Sequence, residues 1–402
     1  MYGLCSPQDW NLAPASEEKS GKIKQFCGMS LKTLEMRCQR NIYEWIPQQF
    51  SQEHGAIYGF YDARSKRFEP PQLVNLIAPW QLMAASDRYG HQPSLHKAIC
   101  AAEWLHQSPF VVTHPMSLAV GGVVHREAKE AWTKYSAEYA ILNLGLYRRT
   151  GKDRPYLERA LQSGEFLIQA ARHHYATKFH LQEETWSTRG WQAFGRVIEA
   201  FLNLYEVTGQ AKWRKQALAC GEYALGLQES NGCFYLISGE YYNSDLAADP
   251  LRAMVFLFEE TKKEEFLKAA RRFADWHIER QTQQGAWPIN IDKEGNILSS
   301  LVGPGDMPNI GISLLRLHKN THEERYLRTA IKAFQYSLSA QITPESNHPY
   351  KEDPKVKWGF WSWLPYYDYT VSADQATHHV RGLMFLMDYL ASLPATSAMA
   401  RG

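Results

Sequence analysis

YLERAL at residues 156–161 and YLRTAI at 326–331 each place an aromatic residue four positions ahead of an alanine. WRKQAL (213–218) and FLKAAR (266–271) repeat the spacing, and SLHKAI (94–99) repeats it with serine in place of the aromatic. The shared alanines are Ala98, Ala160, Ala217, Ala270 and Ala330, with separations of 62, 57, 53 and 60 residues. Residues four apart share one helix face, so each segment reads as a helix that packs through its aromatic and its alanine. Recurrence at such a spacing is the mark of a repeat architecture, in which every unit is one supersecondary element.

Just ahead of each copy stands a turn signal: SDRYGHQP, RRTGKDRP, EVTGQAK, EETKKEE or KNTHEER. Glycine or a polar cluster there ends one helix and lets the next begin, which gives helix, short turn, helix. The first helices of the pairs, such as YSAEYAILNLGLYRR and WQAFGRVIEAFLNLYEV, are apolar around most of their circumference, as buried helices are. The second helices, such as EFLKAARRFADWHIERQ, carry a charged face and read as an outer layer. SLKTLEMRCQRNIYEWI near the start resembles an outer member, and HHVRGLMFLMDYLASL near the end an inner one. Together they supply a sixth pair that closes a ring. The expected fold is therefore all-α: an (α/α)6 toroid of six helical hairpins. Its expected extent is residues 29–394, with a 1–28 extension and a 395–402 tail. GGVV, GCFYLI and INIDKEGNIL are candidates for short hairpins at the rim.

Composition bounds the partners. The net charge of +2 in 402 residues argues against nucleic acid, which selects a strong basic bias. No 18-residue apolar run is present, so no membrane span is expected. The first residues lack a basic leader and an apolar stretch, which implies a cytoplasmic chain as written, or a periplasmic or secreted one if a signal peptide has been removed. Six scattered cysteines without a CxxC pair imply free thiols instead of disulfides or zinc, and no cofactor or metal is expected. With 13 Trp and 22 Tyr there are more such aromatics than a core alone needs, which suits a surface that stacks on sugar-like faces. The chain is expected to act as a monomer or homodimer.

Connections between hairpins are long, at about 49–72, 107–133, 173–190, 228–247, 281–308 and 341–375, and long loops in a compact fold are usually functional. Each leads into the N-terminus of an inner helix, so all six should gather at one mouth of the ring. They carry Tyr61, Asp62 and Arg64; His114, His125, Arg126 and Trp132, with Tyr135 and Glu138 opening the next helix; Glu184, Trp186, Arg189 and Trp191; Tyr241, Tyr242, Asn243, Asp245 and Asp249; Trp287, Asn290, Asp306 and Asn309; and Trp358, Trp361, Trp363, Tyr369, Asp374, His378, His379 and Arg381. Each has a structural alternative. Asp245, Asp249, Asp306 and Asp374 stand where an aspartate caps free backbone N–H groups. His378 and His379 point about 100° apart on a helix, so one of them is expected to pack. Arg189 and Arg381 are also suited to pairing with neighbouring carboxylates.

The helical repeat, with STRGWQ (187–192) opening an inner helix, resembles the six-hairpin glycosidase superfamily, which includes unsaturated glucuronyl and rhamnogalacturonyl hydrolases. The resemblance implies that Arg189 and Trp191 bind substrate. The paired aspartates those hydrolases carry at an early inner helix are missing from WTKYSAEYA. YDY (367–369) with Thr377, His378 and His379 resembles an element of glucuronyl C5-epimerases, which implies proton abstraction by tyrosine or histidine.

The reading that follows is a glycoside hydrolase acting on oligosaccharides or polysaccharides, uronate-containing ones among them. Asp306 and Asp374 are its candidate acid and base, with His378 or Tyr369 polarising one of them. Substrate contacts are expected from Arg189, Trp191, Tyr242, Asp245, Trp287, Asn309, Trp361, His125 and Arg381. The alternatives are a polysaccharide lyase or uronyl C5-epimerase, in which Tyr369 or His379 takes a proton while Arg381, Arg189 or Asn309 neutralises the substrate carboxylate, and a non-catalytic glycan-binding toroid.

Overall fold

The computed structural model describes residues 25–26, 28–125, 129–364 and 369–393. Arg126, Tyr367, Asp368, Cys5 and Cys27 lie outside them. Twelve α-helices are present among the described residues: α1 (Leu31–Arg40), α2 (Ala78–Tyr89), α3 (Gln92–Gln107), α4 (Thr133–Arg149), α5 (Arg154–Arg172), α6 (Phe194–Thr208), α7 (Ala211–Leu225), α8 (Ser244–Thr261), α9 (Glu264–Arg280), α10 (Asp306–Thr321), α11 (Glu324–Ser339) and α12 (Ala373–Ser392). Helix α1 runs on through a π-helical segment, Asn41–Trp45, and a 3-10 turn, Ile46–Gln49.

The even-numbered helices form an inner ring in which α2, α4, α6, α8, α10 and α12 each touch the next, and α12 returns to α2. Each has an outer partner, and α1 is the partner of α12, so the first and last helices close the ring as the sequence predicts. The repeated alanines Ala98, Ala160, Ala217, Ala270 and Ala330 are all fully buried, as are Trp213, Phe266 and Tyr326 ahead of three of them. Small residues on that face let outer helices approach inner ones, and the rings beside them fill the space between.

Turns inside the hairpins need a left-handed residue after the helix. Gly90 and Gly209 supply it after α2 and α6; in EETKKEE and KNTHEER, which lack glycine, Lys262 and His322 adopt it. Inner helices also meet closely. A Cβ on Gly195 would come within 2.4 Å of the Asp249 backbone, so this glycine is what allows α6 and α8 to touch and Arg196 to reach Asp249.

Strands are confined to the loops. Val123–His125, Glu130–Trp132, Lys178–His180 and Thr185–Ser187 form one antiparallel sheet, and Tyr241–Asn243 pairs with Asn290–Asp292. Thr370–Val371 pairs with Tyr61–Asp62, which pairs with Arg67–Phe68. The rim strands thus tie different inter-hairpin loops together, whereas GCFYLI contributes only an isolated bridge at Ile237. No helix among the described residues is long and apolar enough to cross a membrane.

Candidate active site

The long loops gather at one end of the ring around a cavity of about 530 Å³, a size suited to one or two sugar rings. Its floor is made of the first turns of inner helices: Lys134, Tyr135 and Glu138 from α4, Asp245 from α8, Asp306 from α10, and Asp374 and Gln375 from α12. Gln72, Trp191, Asn243, Ile289 and Trp363 are among the loop residues that build the wall.

The three cavity aspartates do not cap their helices. The N-cap positions of α8, α10 and α12 are Asn243, Gly305 and Ser372, and the cap hydrogen bond seen on α12 is the Ser372 side chain accepting from the Gln375 backbone. The carboxyl groups lie inside the first turn instead, so they face the ring axis and not their own backbone.

Asp306 is 3 % exposed and its Oδ2 accepts a hydrogen bond from Ser244 Oγ at 2.5 Å. Burial, with Asp245 and Asp374 nearby, raises its pKa well above the ordinary carboxylate value against the pull of Ser244 and Lys134, which favours the protonated acid. Asp374 is 39 % exposed and lines the cavity. Burial works against its charge, but His378, whose Nε2 lies 3.5 Å from Oδ1, and Lys134 outweigh it and hold Asp374 below the usual range. Asn309 Nδ2 donates to His378 Nδ1 at 2.8 Å, which leaves the imidazole proton on Nε2, towards Asp374. Two carboxyl groups on adjacent inner helices are thus driven in opposite directions, one towards the neutral form and one towards the ionised form.

Lys134 lies between Glu138 and Asp245, 3.4 Å from each. Burial opposes its charge, but these carboxylates hold its pKa well above the ordinary lysine value. Glu138 is pushed up to about 7 by burial, against the pull of Lys134 and Arg196. Among the described residues neither of its oxygens has a hydrogen-bond partner.

Behind this floor lies a set of closely paired charges. Arg196 meets Glu199 at 2.9 Å and Asp249 at 2.8 Å, and Arg252 meets Asp249 at 2.7 Å and bonds to Glu199 as well. All four residues are at most 3 % exposed.

Of the predicted site residues, Asp306, Asp374, Asp245 and Trp191 come together on the cavity, with His378 and Asn309 directly behind Asp374. Tyr369 is half-buried beside the cavity residue Thr370 and packs edge-on to Trp361, 5.8 Å between ring centres. Others are placed elsewhere. Tyr242 and Trp287 are buried around His277, to which Tyr242 Oη lies 3.3 Å from Nε2 and Trp287 Nε1 donates at the backbone oxygen. Trp361 is in the core, and the Arg381 guanidinium lies buried over Trp80 at 5.1 Å. His379 packs on Phe360 with ring centres 4.0 Å apart and contacts Ser337 Oγ, so the two adjacent histidines do part company. Arg189 is exposed on the rim of a second cavity with Tyr235 and Lys293, and His125 borders a small one beside Phe110. Lys134 and Gln375 are cavity residues that the sequence reading did not select; the Lys134–Glu138 spacing of four on an inner helix was the available signal. Among the described residues no three of His, Cys, Asp and Glu converge to hold a metal ion.

No family model and no curated protein sequence matches the chain. Solved structures do. A cellobiose 2-epimerase from Bacillus thermoamylovorans superimposes with a TM-score of 0.71 at 11 % identity, covering 89 % of this chain and 98 % of that one. A D-mannose isomerase gives 0.70 at 14 %, covering 89 % and 97 %. An unsaturated glucuronyl hydrolase from a Bacillus species gives 0.62 at 10 %, covering 89 % and 96 %. The chain shares their (α/α)6-toroid fold. At these identities the likeness is one of architecture, and the side chains on the mouth of the toroid carry any argument about chemistry.

Proposed function

We propose that the chain is a carbohydrate-active enzyme, with residues 29–394 as its catalytic domain, and that its reaction is hydrolysis of a glycosidic bond. The observation that carries the reading is the meeting of two carboxyl groups from adjacent inner helices on one sugar-sized cavity, Asp306 buried against Ser244 with its pKa driven up and Asp374 beside His378 with its pKa driven down. Protonated Asp306 donates to the glycosidic oxygen as the bond to the anomeric carbon breaks. Ionised Asp374 serves that carbon, by activating water or by direct attack. His378 and Asn309 orient Asp374 and keep it ionised. Trp191 at the wall offers a ring face for stacking, and Lys134 and Asp245 offer hydrogen bonds to sugar hydroxyls.

A digestion screen of oligosaccharides and polysaccharides with wild type, Asp306→Asn and Asp374→Asn tests this. New reducing ends, lost in both variants, are the expected result. Ends that appear together with the ultraviolet absorbance of a new carbon–carbon double bond, and that persist in both variants, would mean elimination by other groups.

One observation favours a second reading. The Asp374–His378–Asn309 relay is also a proton-transfer unit suited to a sugar C–H beside a carbonyl, and the cellobiose 2-epimerase and the D-mannose isomerase share the fold. Inversion of a sugar stereocentre, followed by NMR without any new reducing end, would move the assignment to epimerisation.

A further inference from the structure

The charges on the cavity wall are unequal. Asp245, Asp374 and Glu138 line it beside the raised-pKa acid Asp306, and Lys134 is the one lysine or arginine among the described lining residues. That ammonium is already shared between Glu138 and Asp245 at 3.4 Å each. Arg196 lies just beneath, but Glu199 and Asp249 hold its two terminal nitrogens at 2.9 and 2.8 Å. Among the described residues an entering carboxylate would therefore meet no cation free of carboxylate partners, and it would be set beside Asp245 and Asp374 in a partly desolvated space, where like charges repel strongly.

A second observation points the same way. The Glu138 side chain is 1 % exposed and reaches the cavity, yet among the described residues neither oxygen accepts a hydrogen bond: Lys134 Nζ and Arg196 Nε stand 3.4 and 3.9 Å from Oε1 as ion-pair partners only. Buried acceptors are normally hydrogen-bonded, and two on a cavity wall that accept no hydrogen bond call for donors brought by a ligand. An ammonium or a hydroxyl brings them; a carboxylate brings none.

Resting on the reading that this cavity receives the sugar, we propose that it selects by charge: an ammonium-bearing amino sugar is preferred, a neutral sugar follows, and a uronate is excluded. This narrows the substrate class and removes the uronate-containing glycans that the sequence resemblance brings into view.

The test uses three sugars that differ at one carbon: 6-amino-6-deoxyglucose, glucose and glucuronate, titrated against the full chain by ligand-observed NMR at low salt. The expected order of affinity is amino, neutral, acidic, with steps of roughly tenfold. The steps should shrink as salt rises and in Asp245→Asn or, should that variant not fold, Glu138→Gln. Glucuronate binding as tightly as glucose, or equal affinity for all three, would overturn the selection and leave the sugar site standing. No binding of any of the three to the folded protein would overturn the proposed function along with it.

Discussion

Two groups of charges sit one above the other on the axis of the toroid, and they are built differently. In the lower group, Arg196, Glu199, Asp249 and Arg252 answer one another with short contacts from two helices, α6 and α8. In the upper group, Lys134, Glu138, Asp245, Asp306 and Asp374 come from four helices, contacts stretch to 3.4 Å, and among the described residues the Glu138 oxygens accept no hydrogen bond. Burial alone does not separate the two, since Glu138 and Glu199 are almost equally enclosed. Closeness of pairing does: every member of the lower group has a contact of 2.7–2.9 Å to an opposite charge, whereas Lys134 stands 3.4 Å from both of its carboxylates. A buried charge held tightly by its partners belongs to the scaffold; one held loosely on a cavity wall is ready for something that arrives later.

The sharpest way to break that distinction is Asp306→Asn. Activity should fall by about 10²–10⁴-fold, while the fold is kept. The folded-state pKa of Asp306 is raised, so its burdening of stability is absent below the ordinary carboxylate pKa and grows as pH rises towards the folded value. The stability of the Asn variant relative to wild type should therefore increase with pH, as followed by urea unfolding across a pH series. A variant that unfolds more easily at every pH would place Asp306 with the scaffold.

Glu199→Ala should do the reverse and cost about 3–5 kcal/mol of stability, because it strands two buried guanidinium groups; chemical denaturation measures it. His378→Ala comes next. It removes a group that holds the Asp374 pKa down, so the acid limb of the pH–activity profile should move to higher pH, with the alkaline limb set by Asp306 less affected. An acid limb that stays in place would detach His378 from Asp374. The smallest effect is expected from Ser372→Ala, which deletes the α12 cap for about 1 kcal/mol and leaves the pH profile where it was.

The architecture was legible because spacing survives without knowledge of contacts. A residue and an alanine four positions on report a helix face wherever the helix ends up, and five copies report the ring. Asp306 and Asp374 could be found from their position at the start of apolar helices. Which way a loop aromatic points could not. Tyr242 sits in the strand Tyr241–Asn243, where alternate side chains take opposite faces, so Asn243 meets the cavity and Tyr242 the core. The strand forms only because Asn290–Asp292 lies alongside it, a pairing across nearly fifty residues that local pattern does not encode. Arg189 shows the same limit: a bridge between Trp191 and Ile237 turns the tryptophan inward and leaves the arginine on the rim. Lys134 went unselected because a cation at a helix N-terminus runs against the helix dipole, and only the carboxylates from other helices make its place intelligible.

The seam of the ring lies between the first helix and the last. Asp374 and His378 stand on α12, which follows the other eleven helices in chain order and is held between α1, α2 and α10. During synthesis the acid half of the site, Asp306, is in place before its counterpart has left the ribosome. A chain interrupted anywhere before α12 would carry an open ring without Asp374 and His378, so on the proposed function reactivity would appear only as the last hairpin shuts.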